Sequence, residues 1–367
     1  MIPQAAPPLR IARFRREVEA AIASVLGGDA YILGSAVASF EAAFARHCGG
    51  RHGVGVASGT DALTLCLRAL GIGPGDEVIL PSLTFAGSAQ AILQCGAEPR
   101  FVEVDARTRC IDPAAVADAV NGRSAALLPV HLFGHPCDMP ALMAIADRHH
   151  LAVIEDCAQS HGATLDGRRL GGFGHAAAYS FYPTKNLGCI GDGGAVVTDD
   201  AGLADRLRSL RNYGFAPGER VSRTLGFNAR LDEIQAAILL ALLPHLEAGN
   251  AERRAIASRY RAALGSCPAL GLPPEADGCV YHQFALTHPD RDGLMRHLAA
   301  AGIGSAVHYA PGLHRHPAFV EGAARPLPVT DALSRTLLSL PIQPEVAREG
   351  VDRIVAAVSS FHAARPR

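Results

Sequence analysis

Lysine is nearly missing from this chain. Of the 34 Lys+Arg side chains among 367 residues, every one except Lys185 is arginine. The formal net charge is -1 with His neutral, so no long-range field draws the chain to nucleic acid or an anionic membrane. No apolar run approaches the roughly 20 residues that cross a bilayer. The longest, AAILLALL at 236–243, has the length of a core helix. The opening residues, MIPQAAPPLRIARFRREVEA, lack the basic-then-apolar pattern of a signal peptide, which predicts a cytoplasmic protein. The nine cysteines contain no C-x-x-C pair, which argues against a zinc site or a disulfide framework and for reduced thiols. Internal repeats and low-complexity tracts are absent too.

What is present reads as globular: 49% hydrophobic and 19% charged residues, in a length suited to one large or two ordinary domains. Helical spacing marks 16–26 and 36–48, and short apolar strands fall at 52–58, 76–82, 98–104, 125–130 and 151–157. Helices such as FAGSAQAILQCG and MPALMAIADRHH lie between them. Strands alternating with helices predict an α/β fold with a mostly parallel sheet, helices on both faces and ligands at the carboxyl ends of the strands. After GGAVVTDD (193–200) a long helix, bent or broken at Pro244, carries the chain into a smaller α+β domain. That domain has a strand at 280–288 and helices near 291–301 and 346–362, and 311–330 reads as a long Pro- and His-rich loop. The expected division is therefore 1–245 and 246–367.

A lysine can lose its proton and attack a carbonyl to form a Schiff base, whereas an arginine stays protonated. Lys185 follows a strand and precedes glycines, where backbone can approach a ligand closely. A Schiff-base lysine working with pyridoxal phosphate needs an acid on the pyridine nitrogen, a phosphate cradle and something over the ring. Asp156 ends the strand LAVIEDC, and Gln159 follows three residues later to donate to the ring oxygen. ASGTDAL (57–63) is a strand, turn and helix start whose N–H groups, with the Ser58 and Thr60 hydroxyls, could cradle a phosphate. Phe85 follows another strand end and could stack on the ring. Each also has a plain reading: a helix cap for Asp156, an ordinary N-cap for Ser58, core packing for Phe85, chance survival for the lysine. Their placement at successive strand ends favours the joint reading.

Competing motifs fail. GDGG and GIGPGD do not space as G-x-G-x-x-G, PTKN lacks the glycines of a P-loop, and no G-x-S-x-G elbow occurs. His131 and His135 are four apart, but Gly134 and Pro136 argue against a shared helical face, so no metal is expected.

The motifs EDCAQSHGA, YSFYPTKNLG with GDGGAVVTDD, SGTDALTLCLRALGIGPGDEVILPSLTF, GFNARLDEIQAA, GIGSAVHYAPGLHRHPAF and LSLPIQPE resemble those of the DegT/DnrJ/EryC1/StrS sugar aminotransferases over nearly the whole chain. The resemblance implies the aspartate-aminotransferase (type I) fold, pyridoxal phosphate (alternating with its pyridoxamine form) as cofactor, and a homodimer with active sites at the subunit interface. It places the cofactor on Lys185, the ring nitrogen on Asp156 and the ring oxygen on Gln159, with Phe85 stacking. Gly59, Thr60 and Ser180 fall on phosphate positions, and Asn228 reaches the phosphate from the neighbouring subunit. Tyr182, Arg230, His308 and Tyr309 border the substrate site. The form SFYPTKNLG-x-x-GDGGAVVT resembles members that aminate C3 of a nucleotide-linked keto sugar, dTDP being the expected nucleotide and L-glutamate the donor. Amination at C4, or a non-catalytic cofactor-binding regulator, is the alternative; dehydratase members carry histidine where this chain keeps lysine.

Overall fold

His52–Val56 (β1) and the strands Glu77–Pro81 (β2), Glu98–Val102 (β3), Ser124–Leu127 (β4), Ala152–Asp156 (β5), Ala176–Ser180 (β6) and Gly194–Thr198 (β7) form one seven-stranded sheet in a computed structural model that describes residues 1–216, 218–319 and 326–363. Its order is β1-β7-β6-β5-β4-β2-β3. Pairing is parallel from β6 across to β3, and β7 alone runs antiparallel, inserted between β1 and β6. Gly194, the first residue of β7, therefore pairs with both Val56 and Ser180 at the carboxyl ends of its neighbours.

Alternation along β6 shows why the sheet is covered on both faces. Ala176 and Ala178 pack with Leu63, Leu65 and Leu67 of the helix Gly59–Ala69, while Ala177 and Tyr179 meet Phe40 and Phe44 from Ser35–Cys48. The Phe44 ring lies edge-on to Tyr179 at 4.9 Å and to Phe181 at 5.1 Å. Truncating either buried phenylalanine costs about 3–5 kcal/mol. A third core, separate from these, gathers Tyr260, Phe284, Leu294, Leu338 and Val358 from the C-terminal part.

The long helix near 233–264 is broken where the sequence placed the break. Glu233–Leu242 and Leu246–Leu264 are joined by a 3₁₀ turn that contains Pro244. Two expectations are corrected, and one segment gains a structure the sequence left open. One helix over 346–362 is two, Pro344–Ala347 and Val351–Ala363, with Gly350 between them packed against Ile2. Part of the loop expected over 311–330 is ordered as the 3₁₀ turn Leu313–Arg315, and a helix opens inside it at Pro328; residues 320–325 of that expectation lie outside the described residues. Finally, Pro7–Arg13, read only as lacking a signal pattern, is a helix. Ile2 ahead of it bonds to Gly302 and Gly304, so the first residues pack on the third core rather than on the sheet.

Candidate active site

The carboxyl ends of β1, β2, β5 and β6 point to one side, and the chain's uncommon chemistry collects there. Lys185 sits in the turn between β6 and β7, half-buried. Desolvation lowers its amine from the ordinary 10.5 to about 8, against the pull of nearby Asp156. Asp156, the last residue of β5, is buried and accepts from the Ser88 hydroxyl at 2.9 Å and the Ala158 N–H at 3.1 Å. Burial raises its pKa, and no arginine, lysine or histidine pairs with it within 4 Å among the described residues. The charge of nearby Lys185 favours its ionised form, but no ion pair closes on it.

Three histidines surround the same amine. Burial first, and Lys185 second, lower the pKa of His161 to about 3, of His308 to about 4, and of His282 as well. They remain neutral imidazoles, so none competes with the lysine for a proton near neutrality.

Gln159 is oriented from both ends. Its Oε1 accepts from the Phe133 N–H at 2.6 Å and its Nε2 donates to the Tyr309 hydroxyl at 3.0 Å, which fixes the amide orientation. The Tyr309 ring lies 6.0 Å from that of Phe85, which is 58% exposed and free to cover a ligand. His308 is held by the Ser339 hydroxyl at 2.9 Å.

A second group lies at the start of the helix Gly59–Ala69. Its first N–H groups have no intrahelical partner, and the Thr60 side chain faces the start of the helix Ala86–Gln94 across Gly87. A Cβ on Gly59 would lie 2.6 Å from that of Ser180, so only glycine lets these elements meet. Ser58 is the ordinary N-cap: its hydroxyl accepts from the Asp61 N–H and donates to the Asp61 carboxylate. Ser58 therefore caps the helix at the edge of the cradle that Gly59, Thr60 and Ser180 line.

Not every expected residue joins these groups within one chain. Asn228 is exposed and its backbone pairs with Asn212. Arg230 bonds Asn212 at 3.1 Å and stacks over Tyr213, although its backbone pairs with Val56 beside the cradle. Tyr182 is 52% exposed next to the lysine turn. Conversely, Ser88, His161, His282 and Arg10 belong to the site's structure and were not singled out by sequence. His161 was visible inside EDCAQSHGA, but nothing local says that both its ring nitrogens are buried without partners.

The residues present fit pyridoxal phosphate: a desolvated amine, a buried carboxylate without an ion pair, a helix start closed by a glycine, and an open aromatic face. Fold and site together define a type I pyridoxal-phosphate enzyme. The DegT/DnrJ/EryC1/StrS aminotransferase family model matches residues 13–359. The dTDP-3-amino-3,4,6-trideoxy-alpha-D-glucose transaminase of Streptomyces venezuelae is 49% identical over 353 residues, 95% of this chain and 92% of the relative. The erythromycin biosynthesis sensory transduction protein EryC1 of Saccharopolyspora erythraea is 47% identical over 94% of this chain and 95% of its own length. The crystal structure of S. venezuelae DesV in complex with a ketimine intermediate superimposes with a TM-score of 0.96 at 46% identity, covering 100% of this chain and 99% of that one. The chain thus belongs to the DegT/DnrJ/EryC1/StrS aminotransferase family.

Proposed function

We propose that this protein transfers the amino group of L-glutamate to the C3 ketone of a dTDP-linked keto-deoxy sugar, in two half-reactions that share one site. The observation that carries this reading is Lys185, a desolvated amine near a buried carboxylate that no ion pair satisfies. The C3 position and the nucleotide are supported by likeness to the Streptomyces transaminase.

When bound, pyridoxal phosphate supplies a conjugated ring that takes up the electron pair left as a C–H bond breaks. Lys185 would hold it covalently through Nζ, and the free amine would carry the donor's α-proton. Asp156 holds the proton of the ring nitrogen. Gln159 orients the ring oxygen, and Phe85 covers one face. Gly59, Thr60 and Ser180 hold the phosphate. Tyr182, Arg230, His308 and Tyr309 border the sugar site.

The test is spectroscopic. Protein loaded with pyridoxal phosphate and given L-glutamate alone loses the visible band of the lysine-bound cofactor, and a dTDP-linked 3-keto sugar restores it. A 4-keto sugar restoring it instead moves the reaction to C4. The name of the Saccharopolyspora relative favours a second reading, a cofactor-binding regulator without turnover, for which the band is stable to every amino donor.

We place the site at the interface of a cytoplasmic homodimer. Tyr31, Phe85, Tyr182, Tyr213 and Leu225 are large apolar side chains left exposed, and Asn228 is exposed as well. No described helix is long and apolar enough to cross a membrane. If Asn228 reaches the partner's phosphate, Lys185→Ala and Asn228→Asp subunits are each inactive alone. Mixed and re-equilibrated, they recover about a quarter of wild-type activity, the share of intact sites under random pairing. No recovery places Asn228 in its own subunit's site. We also read residues 1–245 as the cofactor-binding unit and 246–367 as the smaller one, supported by the separate C-terminal core.

A further inference from the structure

The turn that carries Lys185 has no ladder to hold it. Between β6 and β7 the chain runs through irregular turns, and its carbonyls need partners. Four of them converge on one guanidinium that comes from the helix Pro7–Arg13. Arg10 Nη1 donates to the Lys185 carbonyl at 2.6 Å and to that of Asn186 at 3.4 Å. Its Nη2 donates to Pro183 at 2.7 Å and Gly188 at 3.0 Å. A Cβ on Gly188 would lie 2.7 Å from Nη2 and 2.7 Å from the Tyr182 carbonyl, so the turn closes around the fork only with glycine there.

The guanidinium has no acidic partner within 4 Å among the described residues. Arg13, one turn along the same helix, pairs instead with Glu252 at 2.9 Å and Glu345 at 3.3 Å. If Arg10 served only to attach the helix, an ion pair of that kind would suffice. A planar fork that spans four carbonyls of one turn does more, because it fixes the peptide of the lysine itself. Behind the turn lies a cavity of about 60 Å³ lined by Arg10, Asn186, Gly188, Arg253 and Glu345, so the turn has room to sag if the fork is removed.

We propose that Arg10 is a positioning residue for Lys185, holding the Pro183–Gly188 turn in the one shape that keeps the lysine amine dry and beside Asp156. The proposal rests on the reading of Lys185 as the cofactor's anchor only in its consequence for turnover; the geometry of the turn stands without it. The groups that face the amine are Asp156, His161, His282 and His308, and the Arg10 charge also helps to lower the pKa of His161.

Because the chain has one lysine, [ε-¹³C]lysine labelling of the full-length, cofactor-free protein gives a single resonance to titrate. Wild type is expected to titrate near pH 8. Arg10→Met lets water reach the amine, and the midpoint moves up by more than about one unit toward the ordinary lysine value. Arg13→Met, which loses its two ion pairs, leaves the midpoint in place. In the loaded enzyme, Arg10→Met lowers kcat about 10²-fold, the cost of misplacing a reacting group by roughly 1 Å, with a smaller change in KM. Should Arg10→Met not fold, Arg10→Gln keeps two donors and gives an intermediate shift. A folded Arg10 variant with an unchanged lysine titration and unchanged kcat overturns the proposal and leaves Arg10 as a helix anchor. A shifted titration in a protein that never binds pyridoxal phosphate through its lysine upholds the clamp and removes the functional reading instead.

Discussion

Lys185→Arg abolishes transamination while the protein still folds. Arginine retains the positive charge and much of the length, so Asp156 keeps a cationic neighbour and the turn's carbonyls keep the hydrogen bonds that Arg10 donates. What is lost is an amine that can deprotonate. Proton transfer by a positioned side chain is worth about 10²–10⁴-fold, and covalent anchoring is lost with it. Turnover therefore falls by at least ~10⁴-fold, and the visible band never forms on adding pyridoxal phosphate. Thermal unfolding within a few degrees of wild type shows that the loss is chemical. Substantial remaining activity in that variant rules out Lys185 as the acid/base.

Asp156→Asn separates binding from chemistry. The amide keeps an oxygen for the Ala158 N–H, and the Ser88 hydroxyl can turn to accept from its nitrogen, so local packing survives. Cofactor still attaches to Lys185 and the visible band persists. Without a carboxylate, however, the ring nitrogen has no group to hold its proton, and the ring takes up electrons less well. We expect kcat to fall about 10²–10⁴-fold, the range of a positioned proton-holding group, with KM for the amino donor changed far less. An equal loss in KM alone would mean that Asp156 only helps to bind.

The contrast between these variants follows from how the two residues are held, and only part of that was legible in the sequence. The lysine was conspicuous as the sole survivor among arginines, and its place after a strand and before glycines was readable. Asp156 and Phe85 could be put at strand ends because short apolar runs bounded by turns mark strands plainly. Ser58 read equally well as a cap or a phosphate ligand, and its hydrogen bonds to Asp61 show the cap. Strand order was out of reach: no periodicity tells that Gly194–Thr198 runs back between β1 and β6. That insertion is what sets Ser180 against Gly59. Arg10 was invisible for a simpler reason. Its partners are over 170 positions away and are backbone carbonyls, which leave no trace in residue identity. Ser88 was likewise hidden, since its contact with Asp156 exists only where two strand ends meet.

The helix break at Pro244 was foreseen because proline removes a donor wherever it falls. The break at Gly350 was not, and the close approach of Ile2 there, from the other end of the chain, leaves no trace in the local sequence.

The most direct test of the central claim is borohydride reduction of the protein loaded with pyridoxal phosphate, followed by tryptic digestion and mass spectrometry. Cleavage after Lys185 normally separates residues 170–185 from 186–206. With the cofactor fixed on its Nζ, the account predicts one uncleaved peptide, 170–206, heavier by the reduced cofactor, and no modification elsewhere. Intact cleavage at Lys185, with the label on the N-terminal amine or nowhere, would contradict it.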